Sequence, residues 1–460
     1  LEYKVLTDDD LTFFRTTIGE NNVLTADLDV YASDSTEKLQ FFPDVVLKPN
    51  SAEEISKIVK YCNRNLLPVT PRGAGTGLAG GALPVKGGVL LSIEKLNRLI
   101  EIDEENFQVK VDAGIINYQL QQALAEKKLF YPPDPSSWQS SFIGGNISTN
   151  AGGIKAVKYG VTAHYVLNLE VVLPNGEIIW TGANTLKNST GLNLTQLFVG
   201  SEGTLGIITK AVLKVLPKPS RDVSLLIPFR HAYEACEAVS AIFHAGVHPV
   251  AMEFMEKRAI DATVDFLGEA YVVIEEDTEA HLLVALDENI EIELQKCMEA
   301  VSKFDIREIL FAENQTEKDR IWHIRRRVAE IVKMNGYTIE EDTVVPRGNL
   351  AKLVEAMHKL ADENDFKVVC YGHAGDGNLH IRINHPKFKN SYNVPEIQEI
   401  LKELFQIVKN LGGTISGEHG IGLLQKAYLP IVFSETNLEL QKAIKRTIDP
   451  RNIMNPGKIF

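Results

Sequence analysis

The chain has 460 residues, 44% apolar and 24% charged, with 48 Lys and Arg against 61 Asp and Glu for a net charge of −13. A single hydrophobic core stops growing at about 250–300 residues, so more than one domain is expected. No run approaches the roughly 18 apolar residues of a membrane span, and an acidic chain without a basic run argues against nucleic acid or an anionic membrane as partner.

The start, LEYKVLTDDDLTFFRTTIG, lacks the cationic and apolar regions of a signal peptide, although a leader trimmed before Leu1 stays open. Ser51 and Glu54 form a capping-box pattern ahead of Ile55, Ile58, Val59 and Cys62 at helical spacing. Short apolar runs on either side, 41–47 and 66–69, read as strands. Phe107, Val109, Val111 and Ala113 alternate with polar residues as a half-buried strand does. A helix over 117–129 is expected to stop at Pro132-Pro133-Asp134-Pro135. Residues 168–173 and 177–180 flank Asn175-Gly176 as a hairpin. At Pro217-Lys218-Pro219-Ser220 the texture changes, which places a domain boundary. From there to about residue 410, strand-like runs alternate with helical stretches over 288–304, 316–335 and 349–364. Periodicity leaves open a βαβ parallel sheet or an antiparallel sheet covered by helices. A last helix is expected near 437–448. Cys62, Cys236, Cys297 and Cys370 lie without CxxC spacing, which argues against an iron–sulfur site or disulfide framework and suits a reducing compartment. A soluble, cytoplasmic protein is the expectation.

Three glycine blocks interrupt the first half: 72–81, 144–153 and 200–206. Residues 75–80 satisfy G-x-G-x-x-G, but Pro84 and Gly87-Gly88 follow, so no helix can open there as a dinucleotide fingerprint requires. Tight turns alone would not need three such blocks, each interleaved with Ser, Thr or Asn. Successive exposed amides can instead cradle a diphosphate in loops.

Residues 43–219 resemble the flavin-binding domain of the vanillyl-alcohol oxidase/p-cresol methylhydroxylase superfamily, on Arg72-Gly73-Ala74-Gly75-Thr76-Gly77, on 143–153 with Lys158-Tyr159-Gly160, and on 200–209. The resemblance implies FAD held between two α+β subdomains, with the first loop around the pyrophosphate. It implies cofactor contacts also from Pro133, Asp134, Gly144, Gly145, Asn146, Thr149, Asn150, Gly153, Glu202, Gly203 and Ile208. Some relatives bind FAD covalently through a His where this chain has Thr76, so non-covalent FAD is expected.

A second feature is Gly372-His373-Ala374-Gly375-Asp376-Gly377-Asn378-Leu379-His380, followed by Gly417-Glu418-His419-Gly420. A hairpin between 368–371 and 381–383 would bring the two imidazoles together. Two His and a carboxylate in glycine turns suit an open divalent-metal site: zinc first, with Fe²⁺ or Mn²⁺ served by the same ligands. Together the two features resemble the FAD-linked D-2-hydroxyacid dehydrogenases, which act on D-lactate, glycolate or D-2-hydroxyglutarate. That resemblance implies metal ligands His373, His380 and Glu418, His419 as base and Arg325 as the substrate-carboxylate clamp. It also implies an α+β fold: a p-cresol methylhydroxylase-type FAD domain (1–220), an antiparallel-sheet cap (221–415) and a C-terminal segment (416–460) that returns to the FAD domain with Asn455 at the cofactor.

Where the hydroxyglutarate branch places Thr and then Lys, this chain has Ala329 and Glu340, and a carboxylate there would repel a dicarboxylate. D-lactate or glycolate is therefore expected over D-2-hydroxyglutarate. With no cysteine cluster to pass electrons on, a separate acceptor is implied: a quinone, a cytochrome, an electron-transfer flavoprotein or an iron–sulfur subunit. O₂ as acceptor and a homodimer stay open. Two competing readings are a metal-dependent hydrolase using the His₂Glu set, which leaves the glycine blocks unexplained, and a non-catalytic electron-relay flavoprotein, which leaves the intact His and Glu set unexplained.

Overall fold

Ser51 caps the helix Ala52–Asn65 by accepting from the Glu54 amide at 3.2 Å, while the Glu54 carboxylate accepts from the Asn50 amide, one residue before the capping-box position. Ile55, Ile58, Val59 and Cys62 form its fully buried face. The computed structural model describes residues 2–36, 39–268, 275–385 and 394–460. They form two compact units: Leu1–Gly152, Val161–Lys218 and Glu418–Phe460 in one, Gly153–Gly160 and Pro219–Gly417 in the other.

The first unit holds two main sheets. One has strands in the order Val23–Leu24, Val45–Leu47, Val89–Ser92, Val69–Arg72, the last three mutually parallel. Its Val69 edge is extended by the C-terminal segment, since the Val69 amide donates to Ile453 and the Asn455 amide to Val69. The other is antiparallel, in the order Leu99–Asp103, Gln108–Asp112, Ile207–Lys214, Val166–Val172, Ile178–Trp180. Its last pair is the expected hairpin about Asn175-Gly176.

Two expectations fail here. The helix foreseen over 117–129 ends at Glu126, and Lys128 at φ +58° turns the chain into a short strand, Leu129–Phe130, so the prolines do not stop it. The second glycine block is not all loop, because Ile143–Thr149 is helical. Glycine is a poor helix former by about 1 kcal/mol, but a Cβ on Gly144 would lie 2.7 Å from Ala113 Cβ, so the glycine lets this helix press against residue 113.

In the second unit the ambiguity of the alternating pattern resolves to an antiparallel sheet. Its seven strands run in the order Leu310–Ala312, Val223–Phe229, Ala280–Leu286, Ala251–Glu256, Lys367–Gly372, Asn378–Asn384, Ile339–Val344. One face packs on helices Lys257–Leu267 and Gln315–Met334 through Leu226, Met255, Leu283, Ile324, Val328 and Tyr371. The opposite pleat carries Glu256, whose carboxylate meets His358 of helix Leu350–Glu363 at 2.6 Å. The segment Gly153–Gly160 is tied to this unit by Asp287, which binds Lys158 Nζ at 2.5 Å and Tyr159 Oη at 2.6 Å. Residues that read as the tail of a flavin-loop motif thus pack with the large sheet.

Candidate active site

Strand register builds the polar cluster of the second unit. Asp342 pairs with His380, His380 with Tyr371, and Glu340 with Arg382, and directly opposite residues of an antiparallel pair share a face. So Glu340, Asp342, Tyr371, His380 and Arg382 all project toward the helix Gln315–Met334 side. His373 joins them because the turn after Lys367–Gly372 is tight. Gly377 sits at φ +86°, and a Cβ there would strike the Val345 carbonyl oxygen, so only glycine closes the turn. The His373 and His380 rings end with centroids 5.6 Å apart, at 4% and 6% exposure. The expected meeting of the two imidazoles therefore occurs.

Each histidine has a carboxylate beside it. His373 Nδ1 lies 2.9 Å from Glu253 Oε1, and the same carboxylate takes Arg325 Nε at 2.8 Å and Nη2 at 2.6 Å. Glu340 lies 3.6 Å from His380 Nδ1 and binds Arg382 Nη2 at 2.6 Å, while Arg382 Nε donates to Tyr371 Oη at 3.1 Å. Burial works to raise the Tyr371 phenol, Glu340 adds to that, and the phenol sits well above its ordinary range. Asp342, fully buried, accepts from Asn378 Nδ2 at 2.7 Å, the Gly417 amide at 2.9 Å and Ser416 Oγ at 3.2 Å. The loop that ends at Gly417 is thus fixed on His380's register partner, and the next residue of the chain is Glu418.

In the first unit, Glu418 and His419 lie with Nε2 and Oε1 4.0 Å apart, and a Cβ on Gly152 would come within 3.1 Å of Glu418 Oε2. The loop behind them is clamped by Glu202, whose two oxygens accept the Ile421 and Gly422 amides at 2.8 Å each. Burial pushes the Glu202 carboxyl up to about 7, against the pull of those amides and of Lys458. Asn455 Nδ2 donates to the Gly81 and Glu202 carbonyls at 2.9 and 2.8 Å, and Lys458 donates to the Leu83 carbonyl and to Asn455 Oδ1.

The glycine loops offer what an anionic, flat cofactor needs. Among the described residues, no amide from Ala74 to Leu78 donates to a protein acceptor, which leaves Gly75, Thr76 and Gly77 presenting N–H groups. A Cβ on Gly77 or Gly145 would meet nothing within 4 Å, and Asn146 Nδ2 is buried with no partner among the described residues. The residues present therefore fit FAD.

Other residues expected at the cofactor also make contacts within the protein. Arg72 donates to the Val30 carbonyl at 3.0 Å and lies under Gly75, whose φ of +75° keeps a side chain off the guanidinium. Glu202 and Asn455 spend their side chains on the clamp, and the Pro133 carbonyl accepts from Asn117 at 3.1 Å. Thr149 Oγ1 donates to Gly145 O at 3.3 Å, and Asn150, at φ +53°, accepts from the Ala163 amide at 2.9 Å. Gly203 abuts Pro71, Ile208 is 5% exposed, and Gly153 falls in the second unit.

Sequence reasoning passed over Glu253, Asp342 and Arg382. Glu253 had a signal: a carboxylate in Ala251-Met252-Glu253-Phe254-Met255, an otherwise apolar run, is rarely buried without a partner. Asp342 and Arg382 had none, because which strand edges meet is not written in either strand.

Among the described residues no helix is long and apolar enough to cross a membrane. The C-terminal domain of FAD linked oxidases matches residues 218–459, and an FAD binding domain matches residues 43–182. The chain is 39% identical over 435 residues to the glycolate oxidase subunit GlcD of Bacillus subtilis, covering 94% of this chain and 92% of that one. It is 39% identical over 425 residues to a D-lactate dehydrogenase of Anaerostipes hadrus (91% and 89%). A D-2-hydroxyglutarate dehydrogenase of Stutzerimonas stutzeri is 31% identical over 458 residues (97% of each chain). Among solved structures, p-cresol methylhydroxylase shares the fold at a TM-score of 0.78 and 19% identity, covering 99% of this chain and 98% of that one.

Proposed function

The chain belongs to the FAD-linked oxidases, oxidoreductases with an FAD-binding domain and a cap domain, and we propose that it oxidises a short monocarboxylic 2-hydroxy acid, D-lactate or glycolate, to the 2-oxo acid. The observation that carries this is the pair His373 and His380, buried together at the ends of one glycine turn, with Gly417 anchored on His380's register partner. On this reading His373, His380 and Glu418 hold a divalent cation, zinc before Mn²⁺ or Fe²⁺. Such a cation, when bound, supplies the Lewis acidity that makes a chelated hydroxyl easier to deprotonate. FAD, held non-covalently by the amides of Gly75 to Gly77 and by Gly145 and Asn146, supplies the hydride acceptor.

The chain's own residues do the rest. His419 takes the hydroxyl proton at a ring nitrogen, a step of general-base catalysis worth roughly 10²–10⁴ in rate. Glu202 holds the loop that carries His419 through two backbone amides. Beside His380, the cation of Arg382 is already matched by Glu340, which leaves that position unsuited to a second carboxylate. Arg325 gives Nε and Nη2 to Glu253, which orients the guanidinium expected to hold the substrate carboxylate. The electrons leave to a separate acceptor, such as a quinone, a cytochrome, an electron-transfer flavoprotein or an iron–sulfur subunit.

The test is an anaerobic visible spectrum of the purified protein, with D-lactate, glycolate and D-2-hydroxyglutarate added in turn, before and after chelation. Bleaching by D-lactate or glycolate that chelation abolishes, with the oxidised flavin bands intact, is the expected result. A flavin bleached equally well in metal-free protein would reject the cation's role. Bleaching by D-2-hydroxyglutarate alone would reject the substrate class.

A further inference from the structure

Glu253 stands in the middle strand of the seven-stranded sheet at 0% exposure, between Met252 and Phe254 on the opposite pleat and near Met255 on its own. A lone carboxylate is strongly disfavoured in such a place unless it is paired. The contacts are specific. His373 Nδ1 is 2.9 and 3.0 Å from the two oxygens, and Arg325 binds Oε2 through Nε at 2.8 Å and Nη2 at 2.6 Å. Arg325 also lies over the Tyr371 ring, 5.7 Å from its centroid, which fixes the guanidinium from a second side.

A carboxylate at Nδ1 selects the tautomer with the proton on Nδ1 and the lone pair on Nε2, and it sets the plane of the ring. We propose that Glu253 is the positioning residue of metal ligand His373, with Arg325 bound to the same carboxylate from its other side. This rests on His373 being a ligand, as in the function proposed above. Glu253 does not touch the substrate. It makes His373 a better donor by accepting from Nδ1–H, so its loss shows first in metal affinity.

The experiment measures Mn²⁺ affinity of the FAD-loaded full chain by electron paramagnetic resonance, which counts the free ion, alongside flavin content and melting temperature. Glu253→Gln leaves Arg325 buried and unmatched, so the neutral double variant Glu253→Gln with Arg325→Met is made as well, together with Glu253→Asp, which keeps the charge. The expected result is a Kd weaker by about 10–100-fold in the double variant, a smaller loss in Glu253→Asp, and unchanged flavin content. An unaltered Kd in the double variant overturns the positioning role. Should the double variant not fold, Glu253→Asp decides alone, since a one-methylene retreat from Nδ1 must weaken the ion and an unaltered Kd there also overturns the proposal. His373→Ala separates the two levels: if it leaves the Kd unaltered, the metal-site reading itself has failed, whereas weak binding in His373→Ala with normal binding in the Glu253 variants condemns only the inference.

Discussion

Glu340 and Arg382 are register partners on adjacent strands, with Nη2 and Oε2 2.6 Å apart and His380 Nδ1 3.6 Å from the other carboxylate oxygen. The pair carries no net charge. Sequence reasoning expected Glu340 to repel a dicarboxylate; on the function proposed above, a dicarboxylate would instead meet a cation already matched by Glu340. Glu340→Gln should therefore release Arg382 and raise kcat/KM for D-2-hydroxyglutarate relative to D-lactate. A charge-assisted hydrogen bond of about 1.5–3 kcal/mol corresponds to a change of tenfold or more in that ratio. Steady-state kinetics with both acids gives the ratio, and one that does not move would place the pair away from the substrate.

His419→Ala should lower the rate of flavin reduction by roughly 10²–10⁴ and leave the bound FAD spectrum as it is. The reason for the split is structural, since Glu202 holds the loop through the Ile421 and Gly422 amides. Anaerobic stopped-flow reduction measures the rate, and absorbance of the purified variant measures the cofactor. Normal reduction would remove His419 from the mechanism.

His281 offers a prediction that owes nothing to the active site. It is 1% exposed in strand Ala280–Leu286, its Nδ1 has no partner among the described residues, and burial with Lys257 nearby pushes its pKa down to about 3. The unfolded chain, with the ordinary value of 6.5, then binds a proton that the folded chain refuses. Stability is thus fully present above pH 6.5 and lost as pH falls toward 3, by up to about 1.4 kcal/mol per unit for this group. His281→Leu should flatten the melting temperature against pH between those limits. Parallel curves for the two proteins would show that His281 is not buried neutral.

Several features of the site could be read from local pattern. Gly372 to His380 announced a turn carrying two imidazoles, because glycine spacing alone demands tight reversal. The capped helix after Ser51 and the hairpin about Asn175-Gly176 were legible for the same local reason. The helix Ile143–Thr149 was not, since its glycines are poor helix formers and are tolerated only where residue 113 presses against them. The end of the helix at Glu126 was missed because the prolines drew attention from Lys128, whose left-handed conformation carries no strong sequence mark.

Chemistry that depends on residues close in the chain was therefore present in the order of the amino acids: the amide-rich loop at Gly75 to Gly77, the His373 and His380 turn, and the Glu418-His419 pair. What the histidines are bonded to came only with the folded sheet. Glu253 is 120 residues from His373 and Arg325 is 72 from Glu253, and they meet because an antiparallel register brings distant strands to one face. Register is a property of pairs of strands and of the helices that bury them, and neither strand alone encodes its neighbour.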